Sequence, residues 1–200
     1  MAAKQDLTIY KGKTYQQIIR WEAGPIIYKP ITAITQAAPV VITCPNHGIP
    51  DQWRVAVQSV KGMTEINSPD DPPRDRDYHQ ATVVDTNTIS INDINSLGYK
   101  TYTSGGVLRF LTPVGLSGYS ARMSIKDKVG GTELLRLDTT NSRIAIDPTN
   151  YTITLTITAT DTAALTFTRG VYDLELQSPG GIVSALLFGK IAVEQEVTTT

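Results

Sequence analysis

The strongest constraint on the fold is a strict alternation of apolar and polar residues between positions 119 and 126. The apolar members are Tyr119, Ala121, Met123 and Ile125, and the polar members between them are Ser120, Arg122, Ser124 and Lys126. Successive side chains of a strand point to opposite faces of a sheet, so this period of two predicts a strand with one buried and one solvated face. Gly118 before it and Gly130 after it are turn signals. We expect the chain to be organised around this strand.

The segments that look like partners of this strand lie at both ends of the chain, at Asp6–Trp21 and Thr132–Val197. Thr and Ile are abundant, Gly and Pro are frequent, and long helix-forming runs are missing, which favours many short strands joined by turns. The sequence therefore predicts an all-β protein. Residues 1–30 and 111–200 form a discontinuous β-sandwich, and residues 31–110 form a small β-barrel domain that interrupts it.

Further alternations in the flanks predict strands with defined faces. The clearest is Tyr151–Ile157, where three Thr residues separate the apolar ones, and a second is Val171–Gln177. The strand predicted over 183–193 has the common face Val183, Ala185, Leu187, Ile191 and Val193. Gly189 in its middle indicates either a bulge or a close backbone approach. The Ser/Thr-x-x-acid pattern at Thr158–Asp161 predicts a single helical turn over 160–165.

The sequence of the middle region predicts short strands joined by polar loops. The predicted strands are Ile31–Gln36, Pro39–Cys44, Trp53–Val60, His79–Val84 and Thr88–Ile91. Gly24–Pro30 contains two prolines, which cannot donate to a central ladder, so we interpret it as a connector. Ser68–Asp77, with its Asp, Arg and Pro residues, is interpreted as a solvated loop.

The charge balance excludes several classes of partner. The chain has 18 Lys+Arg and 19 Asp+Glu, a net charge of -1, so no basic field favours nucleic acid or an anionic membrane. No apolar stretch approaches the roughly 20 residues that a membrane-spanning helix needs. A single cysteine excludes an internal disulfide framework. The N-terminal residues do not resemble a signal peptide, and we expect synthesis in the cytoplasm.

No combination of residues predicts catalysis, a metal or a cofactor. Cys44 has His47 three residues on, but a nucleophile–base pair needs an orienting third group, and none is evident. His47 with Asp51, or His79 with Asp77, does not repeat a known ligand spacing. The acidic loop lacks the alternating order of a calcium loop. We expect a non-enzymatic protein with no catalytic, cofactor-binding or metal-binding residues.

The middle region resembles the FCCH-like module, a small β-barrel related to the first catalytic cysteine half-domain of ubiquitin-activating enzymes, as it recurs in bacteriophage tail proteins. Five pieces in order carry the resemblance: residues 41–48 (VITCPNHG), 53–57 (WRVAV), 60–67 (VKGMTEIN), 78–85 (YHQATVVD) and 102–106 (YTSGG). They cover about seventy residues. The chain departs from the pattern in its long acidic, Pro-rich loop.

The flanks resemble an immunoglobulin-like β-sandwich domain of phage virions. The matching pieces are residues 6–12 (DLTIYKG), 116–123 (LSGYSARM), 172–176 (YDLEL) and 187–193 (LFGKIAV), the first before the insert and the others after it. Such domains resemble the N-terminal attachment modules of baseplate and tail-fibre proteins. The resemblance implies a structural component of the virion, in the tail or baseplate, that docks to other virion proteins and to copies of itself, without nucleic acid or membrane insertion.

An alternative is a host-surface recognition module, in which the inserted barrel binds carbohydrate. Aromatic side chains on loops can stack on sugars. The candidate recognition residues are Trp53, Tyr78, Tyr99 and Tyr102, provided that they share one exposed face. For Trp53 the preferred interpretation is that it fills the barrel interior.

Overall fold

The computed structural model of the protein describes residues 2–195 and has an all-β fold. In chain order the strands are β1 (Ala3–Lys4), β2 (Leu7–Tyr10), β3 (Tyr15–Ile19), β4 (Glu22–Pro30), β5 (Ala33–Ile34), β6 (Val40–Thr43), β7 (Trp53–Lys61), β8 (His79–Val83), β9 (Thr88–Ile91), β10 (Ser104–Pro113), β11 (Ser120–Lys126), β12 (Glu133–Asp138), β13 (Ile144–Asp147), β14 (Thr152–Ile157), β15 (Arg169–Gln177) and β16 (Val183–Glu194). One short helix, α1 (Ala159–Ala163), precedes β15.

The chain divides into two compact units. The first, here called the sandwich unit, comprises Met1–Trp21 and Gly115–Thr200, and the second, the insert unit, comprises Glu22–Val114. The sandwich unit has one sheet in the order β1-β16-β15-β11-β12, with β2 also paired to β16, and a second sheet in the order β13-β14-β3. This arrangement is close to the strand order of immunoglobulin domains, and the N-terminal strands pair in parallel with β16.

The core of the sandwich unit lies between its two sheets. Its buried members include Ala121, Met123 and Ile125 of β11, Tyr172, Leu174 and Leu176 of β15, and Ile153, Leu155 and Ile157 of β14. These are the apolar faces that the alternations predict. The helical turn is also present as α1, and the Thr158 side chain caps it by accepting a hydrogen bond from the Asp161 amide at 3.1 Å. Local sequence patterns therefore account for most of this core.

The insert unit is one antiparallel seven-stranded sheet in the order β4-β10-β7-β8-β9-β6-β5, which curls into a half-barrel. Fully buried apolar side chains form its core, among them Val40, Ile42, Trp53, Ile89, Ile91 and Leu108. The five predicted strands of this region are confirmed, most with shorter bounds. Within residues 2–195, the end strands β4 and β5 of this sheet do not pair with each other.

The unit boundaries differ from the predicted ones, which lay at 30/31 and 110/111. Residues 22–30 are not a connector: they form β4, which pairs antiparallel with β10, for example Lys29 with Leu108. Strand β4 is at the edge of the sheet, where Pro25 and Pro30 need no amide hydrogen to donate to a second neighbour. The pairing places 22–30 and 111–114 in the insert unit.

Two smaller expectations are also corrected. Strand β16 pairs Leu187 with Leu174 but Ala185 with Glu175, so Leu186 is an extra residue. This bulge turns Val183 and Ala185 to the exposed side, away from the face of Leu187. In the loop 68–77, Asp77 is buried within a short 3-10 helix, where its carboxylate accepts a hydrogen bond from the Arg74 amide at 2.8 Å.

Candidate functional site

The four candidate recognition residues do not form one exposed aromatic face. Trp53 is completely buried, and its indole N–H donates to the Leu111 carbonyl at 2.7 Å, so it is a core residue and not a surface platform. Tyr78, Tyr99 and Tyr102 are half-buried. The Tyr102 hydroxyl lies 3.1 Å and 3.0 Å from two backbone carbonyl oxygens of the insert unit and is held by them.

Tyr78 belongs instead to a cluster of arginine and tyrosine side chains on the outer face of the insert unit. The guanidinium carbons of Arg54 and Arg109 lie 5.5 Å and 5.6 Å from the centroid of the Tyr78 ring. Arg54 also forms a two-pronged ion pair with Glu22, at 2.7 Å and 2.9 Å, and this hydrogen bonding raises the pKa of Arg54. Cation–π contacts and the ion pair thus hold three strands together at this face.

Arg109 is the buried member of this cluster, with only 7% of its surface exposed. It donates to the phenol oxygens of Tyr28 and Tyr78, and Tyr28 is 55% exposed. Sequence reasoning missed the cluster because Tyr28 lies in the segment interpreted as a connector. The available signal was the position of Arg54 and Arg109, each a polar residue between buried neighbours of a strand.

Cys44 and His47 serve the interior of the insert unit and do not form a catalytic pair. Cys44 is fully buried, and burial raises the pKa of its thiol to about 11. The His47 Nδ1 accepts from the Ile49 amide at 2.9 Å, so Nε2 carries the proton and donates to the Asp85 carbonyl at 2.8 Å. Because both ring nitrogens are engaged by the backbone, the imidazole has no free nitrogen to act as a base.

The acidic turn residues also have structural partners. Asp138 accepts hydrogen bonds from the amides of Thr140 and Asn141 and from the Thr140 hydroxyl, at 2.6–2.9 Å. These bonds, together with one from Arg136, hold the pKa of Asp138 far below its ordinary value. Asp147 is engaged in a similar way by Asn150, which lowers its pKa. Asp at these positions stabilises turns, as its position in the sequence predicts.

No protein-family model and no curated protein sequence matches the chain. Within residues 2–195, no group of three or more His, Cys, Asp or Glu side chains is placed to hold a metal ion. His79 pairs with Asp93 at 2.8 Å. In the same part of the chain, no helix has the length and apolar character required to cross a bilayer.

Proposed function

We propose that the protein is a non-enzymatic structural component of a bacteriophage virion, in the tail or baseplate, where it acts as an assembly adaptor between neighbouring virion proteins. The observation that carries this proposal is the architecture: a β-sandwich that carries a second complete β unit between β3 and β11. The proposal also rests on the resemblance of the flanks to virion attachment domains and of the insert to the FCCH-like module of tail proteins.

The structural roles of side chains that could otherwise carry out chemistry support this proposal. Cys44, His47 and Asp138 are all engaged in packing or turn formation. The function of such a chain lies in its surfaces, since sheet faces and edges can be covered by other subunits. Virion parts follow closed symmetry, so several copies of the protein would occupy equivalent positions in the tail.

A second candidate function is recognition of host-surface carbohydrate by the insert unit. One observation favours it: Tyr28 is 55% exposed on β4, so one aromatic ring of the insert unit is available to stack on a sugar. The burial of Trp53 weighs against the original form of this hypothesis, because the largest aromatic side chain cannot reach a ligand. The adaptor is therefore the preferred proposal.

The test is association with particles. The purified protein is first sized by light scattering, and is then mixed with two lysate fractions, one of phage tails and one of tail-less heads, and sedimented. We expect co-sedimentation with tails and none with heads. If the protein stays in the supernatant with both fractions, the adaptor role is wrong. A glycan array would then test the second candidate, with Tyr28→Ala as the variant that must lose binding.

A further inference from the structure

The outer face of the larger sheet of the sandwich unit contains an open groove of about 590 Å³. Strand pairing places its side chains in two neighbouring rows. One row runs Lys126–Val171–Lys190 across β11, β15 and β16. The other contains Lys4 and Phe188, directly opposite each other on β1 and β16, followed by Asp173 on β15. Side chains in neighbouring rows on one face of a sheet are close enough to contact each other, so the groove is one continuous surface.

Several apolar side chains of this groove are exposed. Phe188 lies on its floor with 45% of its surface exposed, and Val129 lies at the β11–β12 turn with 89% exposed. Val171 continues the apolar floor between the two lysines of its row. Single exposed apolar residues are common, but a groove that combines several is typical of a surface that a partner covers.

The charges of the groove are unbalanced. Within residues 2–195, no carboxylate lies within 4.0 Å of the ammonium groups of Lys4, Lys126 or Lys190. Glu175 also lines the groove, but its carboxylate is bound by Arg122 at 2.7 Å. Among the described residues, three cations without an ion pair therefore surround an apolar floor, and Asp173 is the lining acid that makes no ion pair. An occupant with carboxylates at its edges would complement them.

We propose that this groove binds an extended acidic segment of a neighbouring protein, with apolar residues seated against Phe188 and Val129 and carboxylates at the three lysines. The proposal rests on the adaptor function, and it names the docking surface and the chemistry of the partner. A polyphosphate backbone fits less well, because Asp173 and Glu175 place negative charge inside the groove and the chain as a whole has a net charge of -1.

The probe is a fluorescein-labelled octapeptide with a central Leu-Phe pair and three acidic residues on each side, titrated with the purified full chain and followed by fluorescence polarisation. We expect saturable binding that weakens with salt. The double variant Lys126→Glu, Lys190→Glu should weaken it about tenfold or more, since two attractions become repulsions. The matched variant Lys61→Glu, Lys100→Glu has the same net charge but changes the insert unit, and should stay within about twofold of the wild type.

Two further arms test the apolar part and the class of ligand. Replacing the central Leu-Phe pair by Gly-Ser should weaken binding about tenfold, because the exposed floor at Phe188 is no longer covered. A single-stranded oligonucleotide of equal charge should bind more weakly than the peptide. Circular dichroism of each variant establishes that it is folded.

Three results would overturn the proposal: no binding of the acidic peptide by the wild type, equal loss in both double variants, or tighter binding of the oligonucleotide. These titrations use the purified protein alone, so they are independent of the particle experiment. If the acidic peptide does not bind but the protein still sediments with tails, the adaptor function stands and the docking surface lies elsewhere. If the peptide binds but the protein ignores tails, the groove stands and the virion role is wrong.

Discussion

Replacement of Trp53 by Phe separates a core role for this residue from a recognition role. The side chain is completely buried, and its indole N–H donates to the carbonyl oxygen of Leu111 at 2.7 Å. This bond lies where the pairing of β10 with β4 shifts register, between Leu111 and Pro113. Phenylalanine keeps one aromatic ring but removes both the donor and part of the volume, so the variant tests the two contributions together.

The expected loss follows from these two contributions. Removing the donor from this half-buried carbonyl destabilises by about 1–3 kcal/mol. The smaller ring leaves a void of about 40 Å³, which adds about 1 kcal/mol at roughly 24 cal/mol per Å³ of cavity. Trp53→Phe should therefore lower the free energy of opening of the insert unit by about 2–4 kcal/mol.

Cys44 provides a readout that is specific to the insert unit. It is the single cysteine of the chain and is fully buried, and burial raises the pKa of its thiol to about 11. A thiol reagent at pH 8 therefore reaches it only when the unit opens. Under conditions where closing is faster than labelling, the labelling rate follows the opening equilibrium. The variant should be labelled roughly 30- to 700-fold faster than the wild type.

Tyr99→Phe is the matched control, because it also keeps an aromatic ring in the insert unit. The Tyr99 hydroxyl makes no hydrogen bond to residues 2–195, so this change should alter the free energy of opening by less than about 0.5 kcal/mol. A Trp53→Phe variant that behaves like this control would refute the reasoning. It would mean that the indole is accessible in solution, and the recognition hypothesis for Trp53 would have to be reopened.

Three further predictions concern the sandwich unit. Gly189→Ala should destabilise it by about 1–3 kcal/mol in thermal unfolding, because the new Cβ would overlap the carbonyl oxygen of Gln5, whereas Gly115→Ala meets no atom within 4 Å and should be neutral. Because the pKa of Asp138 is lowered in the folded state, its ionised carboxylate stabilises the fold at pH values above the unfolded pKa of about 3.9. This contribution is lost as the pH falls toward the pKa of the folded state, so Asp138→Asn should flatten the decline of Tm between pH 5 and pH 2. Thr158→Ala removes the cap of α1 and should lower stability by about 1 kcal/mol in urea unfolding, and an unchanged midpoint would contradict the capping role.

The sequence alone predicts the faces of the strands wherever apolar and polar residues alternate. The core residues of β11, β14 and β15 follow from that alternation, because side-chain direction in a strand has a period of two whatever lies beside it. The cap at Thr158 is local in the same sense. The division into a discontinuous sandwich and an insert follows from the placement of similar segments at both ends of the chain.

Only the tertiary structure decides pairing and register. The local sequence of β4 predicts a Pro-containing connector. It forms a strand because β10, about eighty residues later in the chain, supplies its hydrogen-bonding partner. Because Leu186 is an extra residue in β16, Val183 and Ala185 lie on the opposite face from Leu187. The alternation of residues in the sequence places all three on one face. The cluster around Arg109 likewise joins side chains from separate strands. Such features depend on contacts between segments that are distant in the sequence. The residue pattern of either segment alone therefore does not predict them.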